Sequence, residues 1–136
     1  MLDELSPGGS SLTQKKNYTV TRVVRDTEMA RCIKRLHKHR CQVCGIQLLT
    51  PAGAYAEAAH MRPLDKPHDG PDSSDNILCL CPNHHVLFDL FGFSIGPELS
   101  LLGIEGTLIT NSKHKLSAAH IAYHRHQYEM AVKPAS

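Results

Sequence analysis

Two short spacings carry chemistry. Cys41-Gln-Val-Cys44, followed at once by Gly45, and Cys81-Pro-Asn-His84 each place two ligand side chains around a two-residue loop. Such a loop lets both side chains reach one ion, and a glycine after the second cysteine frees backbone N–H groups to face sulfur, the shape of a zinc knuckle. Two pairs together supply four N/S donors, the set of a closed structural zinc. Cys79 competes for the second pair, but Cys79 and Cys81 are separated by one residue on an extended run and make no knuckle turn. Cys41, Cys44, Cys81 and His84 are therefore the expected ligands. Buried thiols without metal would explain either half-site alone, but explain both together poorly.

The composition asks for such a staple. The chain has 136 residues, fits one small domain, and contains 5% aromatic residues with no Trp, so its core is thin. Five Cys is an odd count beside ten His. The first ten residues lack the basic-then-apolar order of a secretory signal, so the expected location is cytoplasmic, where disulfides are rare and a metal is the commoner cross-link. No apolar run approaches the roughly 18 residues of a membrane span, and no membrane partner is expected. Net charge is +2. Between Arg22 and Arg40, however, seven bases face two acids. That block can meet a polyanion, with Arg31, Lys34, Arg35 and Lys38 as candidate phosphate contacts, or can form an ordinary solvated helix face.

The elements that must position these groups follow from local signals. Residues 1–17 read as a flexible leader or linker, 18–132 as the folded domain with its core motif at 40–89, and 133–136 as a tail. Tyr18–Val24 reads as a short strand. Asp26 or Thr27 caps a basic helix to about His39, with Met29, Ile33 and Leu36 on one face and Cys32 buried nearby. Ile46–Thr50 and Ala54–His60 read as strands around Pro51 and Gly53, and Arg62-Pro63 ends the second. Residues 64–75 form a long polar loop, of the kind that is usually functional or disordered. Asn76–Cys81 is a short apolar strand, and Pro82 opens a helix to about Phe91. Phe93–Ile109 makes a small hairpin, and Ser117 caps a last helix to about Val132. The remaining histidines, His37, His39, His114, His120, His124 and His126, are read as ordinary helix or surface residues. This is an α+β layout.

Ala59-His60-Met61-Arg62-Pro63, then Asn76-Ile-Leu-Cys-Leu-Cys81-Pro-Asn-His84-His85, resembles the HNH endonuclease family, with His84 where the family has its fourth Cys ligand. More narrowly, Glu57-Ala-Ala-His60, His68-Asp-Gly-Pro-Asp72 and Cys79 through Asp89 look like the HNH module that follows an SRA domain in modification-dependent restriction enzymes. The resemblance covers roughly Arg40 to Asp89. It implies a zinc-stabilised ββα-metal domain, flanked here by the basic helix, the hairpin and the last helix.

The implied activity is metal-dependent DNA cleavage, in restriction of modified foreign DNA. By resemblance, His60 is the general base, Asn76 braces the loop and the base, and His85 ligates a catalytic Mg2+, Mn2+ or Ni2+. The family's Asp before the base is Ala59 here. Asp89, one helical turn beyond His85, is the first candidate to replace it, Asn76 the second and Glu57, on the strand face away from His60, the third. Asp89 serves equally well as a surface charge. Arg62 is a candidate phosphate clamp or a structural pairing residue. The implied partners are DNA, gripped through its backbone, and an SRA-type domain. A second copy of the chain would serve double-strand cleavage, which needs two active sites or two visits, though the last helix serves core packing better than a dimer surface. A zinc-stabilised DNA-binding module without catalysis, and a phage or toxin nuclease, are the alternatives.

Overall fold

The computed structural model describes residues 24–133. The leader at 1–17, all of the Tyr18–Val24 strand except Val24, and the tail beyond Lys133 lie outside those residues. Helix α1 spans Glu28–Leu36, and its N-cap is Thr27, whose hydroxyl accepts the Ala30 N–H at 3.2 Å. Glu28 in the first turn and Lys34 and Arg35 in the last complement the helix dipole. The helix stops at Leu36, short of the expected His39. Lys38 and His39 take left-handed backbone (φ 54° and 58°), and their N–H groups close onto the Arg35 and Lys34 carbonyls, turning the chain into the first cysteine pair. Ala30 and Ile33 carry the buried stripe of α1. Cys32 falls outside that stripe and is exposed, contrary to the sequence expectation.

Strands β1 (Leu48–Thr50) and β2 (Gly53–Tyr55) form a hairpin, while β3 (Glu57–His60) pairs antiparallel with β4 (Ile77–Leu80). The single strand expected over Ala54–His60 is thus two. Ala54 faces Leu49 in one sheet and Glu57 faces Leu80 in another, so the chain changes partner at Ala56. Helix α2 (Pro82–Asp89) starts with Pro82 in its first turn and ends before Phe91, which adopts φ 62°. β5 (Ser94–Ile95) and β6 (Leu101–Leu102) make the small hairpin, and α3 (Ala118–Val132) is capped by the Ser117 hydroxyl accepting the His120 N–H.

The β3–β4 pair is covered on both faces. Ala58, Ile77 and Cys79 pack with Ala30 and Ile33 of α1, while Ala59, Leu78 and Leu80 pack with Phe88 of α2, Phe93, Ile95 and Ile121 of α3. Strand alternation therefore puts Glu57 on the α2 face and His60 on the α1 face. Among the described residues no helix is long and apolar enough to cross a membrane.

Candidate metal centres and active site

The knuckle turn closes through Gly45 N–H to the Cys41 carbonyl (2.8 Å), with Gly45 at φ 77°, and the Val43 N–H points at Cys41 Sγ (3.4 Å). Gln42 fastens this turn to β4. Its backbone N–H donates to the Cys79 carbonyl, its Oε1 accepts the Cys79 N–H, and its Nε2 donates to the Ile109 carbonyl. The start of α2 thereby lies against the turn. The sulfurs of Cys41, Cys44 and Cys81 and a His84 ring nitrogen all lie within 4.8 Å of one another. Cys44 Sγ to Cys81 Sγ is 3.9 Å, Cys41 Sγ to His84 Nδ1 is 3.7 Å and Cys81 Sγ to His84 Nδ1 is 3.3 Å. A tetrahedral zinc with bonds near 2.3 Å to sulfur and 2.0 Å to nitrogen needs edges of about 3.5–3.8 Å, so the donor set fits the ion. Burial lowers His84, which keeps its ring in the neutral, ligating form. Burial, with the Cys41 and Cys44 thiols adding to it, pushes the Cys81 thiol up to about 11, protons that a bound cation would displace. Cys79 points into the α1 cluster instead, and burial there pushes its thiol up to about 12.

His85, the next residue of α2, is buried and turned away from the sulfurs. Its Nδ1–H donates to Glu57 Oε1 at 2.8 Å, its Nε2 lies 3.1 Å from Asp89 Oδ2, and Glu57 Oε2 accepts the Tyr55 hydroxyl at 2.7 Å. Burial opposes a charged ring here, but Asp89 and then Glu57 outweigh it and raise His85. Ala59, where the family pattern has its acid, is wholly buried in the core. With the proton that the two carboxylates favour displaced, Nε2 and Asp89 would face a divalent ion while Glu57 holds Nδ1–H. Such an imidazole and oxygen set suits Mg2+, Mn2+ or Ni2+.

His60, His85 and Asp89 line one cavity of about 390 Å³, together with Arg25, Asp65 and Tyr123. His60 Nε2–H donates to Asp72 Oδ1 at 2.8 Å. Asn76 is fully buried, and its Oδ1 accepts the Arg62 N–H while its Nδ2 donates to the Arg62 and Pro71 carbonyls. Arg62 donates from Nε to the His68 carbonyl, and its guanidinium lies 4.8 Å over the Tyr123 ring. On α1, Asp26 pairs with Arg31 (3.6 Å) and Lys34 (3.5 Å), while Arg35 and Lys38 are exposed.

Two participants were under-read in the sequence. Asp72 was only part of a loop motif, and Glu57 stood last among the substitutes for the missing acid. Three of the histidines read as ordinary surface or helix residues are buried. His37 and His114 meet at 2.7 Å, and His124 stacks on Phe88, donates to its carbonyl and accepts from Ser94.

Comparison with known proteins agrees with this geometry. Residues 41–96 match the family model described as HNH endonuclease. A solved structure described as the modification-dependent TagI restriction endonuclease is 41% identical and superposes with a TM-score of 0.72, covering 80% of this chain and 40% of that one. This chain therefore spans about two fifths of that protein's length. No curated protein matches by sequence. The match to the HNH endonuclease model thus falls on the part of this α+β fold that carries the Cys/His group able to hold zinc.

Proposed function

We propose that this chain is a metal-dependent DNA endonuclease, serving restriction of modified DNA, with His60 as its general base. The observation that supports it best is the single cavity lined by His60, His85 and Asp89. Phosphodiester hydrolysis needs a group to take a proton from water and a cation beside the phosphate. His60, with Nε2–H committed to Asp72, keeps Nδ1 as the nitrogen able to accept that proton. His85 and Asp89 would hold a divalent ion, which supplies charge stabilisation at the phosphate. Glu57 orients His85, and Asn76 holds the Arg62–Pro71 segment against the strand end. Cys41, Cys44, Cys81 and His84 would hold zinc as a structural ion.

Arg35 and Lys38, with Arg31 and Lys34 less available through Asp26, are the proposed backbone contacts. Arg62, already committed to His68 and Tyr123, would act by holding the loop or by a remaining guanidinium edge. Selection of modified bases is assigned to a separate SRA-type domain, as the sequence resemblance implies; TagI is itself described as modification-dependent. Cutting both strands would take two copies of the chain or two visits.

The test uses zinc-loaded protein, supercoiled plasmid with and without modified cytosine, and Mg2+, Mn2+, Ni2+ or EDTA. Cleavage abolished by EDTA and reduced about 100-fold or more by His60→Ala is the expected result. Cleavage unchanged by His60→Ala overturns the assignment. Ala59 favours the second reading, a DNA-binding module, and salt-dependent binding without cleavage in any ion would establish it.

A further inference from the structure

Asp72 lies in the polar loop between β3 and β4, twelve residues beyond His60, yet its Oδ1 is 2.8 Å from His60 Nε2. The His60 side chain is only 7% exposed, while that of Asp72, at 32%, keeps one side open to solvent. Its backbone is pinned on the side of the preceding residue. Asn76 Nδ2 binds the Pro71 carbonyl, and Gly70 N–H donates to the Pro63 carbonyl at 2.7 Å. The close approach there requires glycine, because a Cβ on Gly70 would lie 2.0 Å from the Arg62 carbonyl oxygen. On its other side the carboxylate takes a hydrogen bond from Thr27, the cap of α1, with Arg25 near by. Burial alone would push the Asp72 carboxyl up, but the bonds from His60 and Thr27 hold it below the usual carboxylate range. It is thus an anion aimed at one ring nitrogen of one histidine.

We propose that Asp72 is a positioning residue for His60, its carboxylate accepting the Nε2 hydrogen and so fixing the tautomer whose lone pair is on Nδ1. A neutral imidazole carries one hydrogen, and committing it to Asp72 leaves Nδ1 as the only basic nitrogen. The same contact fixes the ring plane, so the base meets its proton without first reorienting. Asp72 touches neither water nor phosphate in this role and acts only through the ring. The role rests on the nuclease reading, whereas the hydrogen bond behind it is measurable without any cleavage.

The full chain, loaded with zinc, is compared with Asp72→Asn, which keeps shape and loses the anion, and with Asp72→Glu, which restores it. Imidazole 15N shifts, with the His60 signals identified by their loss in His60→Ala, report the tautomer. The wild type should hold the hydrogen on Nε2, Asp72→Asn should show a mixture, and Asp72→Glu should move back toward the wild-type spectrum. In cleavage assays the rate at saturating DNA should fall about tenfold or more in Asp72→Asn while KM stays within about twofold. An unchanged tautomer in Asp72→Asn, or KM and the melting temperature moving together with no change at His60, overturns the proposal. If the wild type cuts nothing but shows the Nε2–H form and loses it in Asp72→Asn, the nuclease reading fails and the positioning of His60 by Asp72 stands.

Discussion

His84 and His85 are consecutive residues of α2, and each belongs to a different centre. His84 joins three sulfurs in a closed group of four donors, with no carboxylate among them. His85 lies between the carboxylates of Glu57 and Asp89 at the wall of a cavity. One helical step turns a side chain by roughly 100°, enough to separate a sulfur-rich group that joins the Cys41–Cys44 turn to the start of α2 from a carboxylate-flanked histidine that lines a cavity. The first group offers four protein donors, the number a structural zinc takes, and the second lies beside open cavity space, which the proposed catalytic ion would need. His85 is buried and His84 only half-buried, but burial does not set their different roles. The chemistry of the second donor does.

Removing the sulfur-rich centre should have the largest effect. Binding at structural zinc sites is worth about 10–16 kcal/mol at neutral pH, against a whole-domain stability of about 5–15 kcal/mol. Cys81→Ala, or exhaustive chelation, should therefore abolish the cooperative thermal transition seen by circular dichroism. Cys79→Ala, two residues earlier, should cost about 1–2 kcal/mol and keep the transition. An unchanged melting curve after complete zinc removal would erase the distinction between the centres.

The carboxylate-rich centre should respond differently. Glu57→Gln keeps volume but loses the negative charge that holds and polarises His85, so the divalent-ion concentration for half-maximal cleavage should rise about 10- to 100-fold. The melting temperature of the zinc-loaded protein should move far less than after zinc removal. Equal metal requirements in variant and wild type would remove Glu57 from the site.

A smaller effect belongs to neither centre. Burial holds His124 down to about 4, the carbonyl of Phe88 and then Asp89 opposing it only in part. Above about 6.5 the ring is neutral in both folded and unfolded chains, and its contribution is fully present. As pH falls from 6.5 towards 4 the unfolded chain takes a proton that the folded one refuses, so stability falls by up to about 1.4 kcal/mol per pH unit. His124→Gln should remove that part of the slope in urea unfolding at pH 6.5 and 5.5. His37, lowered to about 4 by burial and then by His114, leaves a residual slope in the variant. A slope unaltered by His124→Gln would mean that acid lability resides elsewhere, at His37 or at the centres themselves.

The sulfur-rich centre was the more legible of the two because each half is local: two ligands, two residues between them, one turn. Capping signals were equally local, and Thr27, Pro82 and Ser117 all begin helices as read. Contacts that cross between elements were not legible. Nothing in Glu57-Ala-Ala-His60 says that α2 packs on the face opposite His60, so Glu57 was correctly placed away from His60 and still undervalued. Asp72 reaches His60 only because an irregular loop returns there, and irregular backbone leaves no periodic trace. The break at Ala56 is of the same kind, since a change of strand partner depends on where β4 comes to lie. His124 looked like a surface residue because the partners that bury it, Phe88 and Ser94, lie on other elements.

Asn76 has a consequence of another sort. The β3–β4 ladder ends at His60 and Ile77, after which Met61 N–H still donates to the Asn76 carbonyl. One step further the side-chain amide takes over, accepting from Arg62 N–H at 2.8 Å and donating to the Arg62 carbonyl at 2.9 Å. This amide behaves as a peptide unit cut loose from the chain, adding one more rung where there is no strand left to supply it. Aspartate has the acceptor without the donor, and glutamine overshoots by a methylene, so the rung is written for one amino acid. The ladder can therefore finish cleanly beside His60 while the same amide keeps hold of the Pro71 carbonyl in the intervening loop.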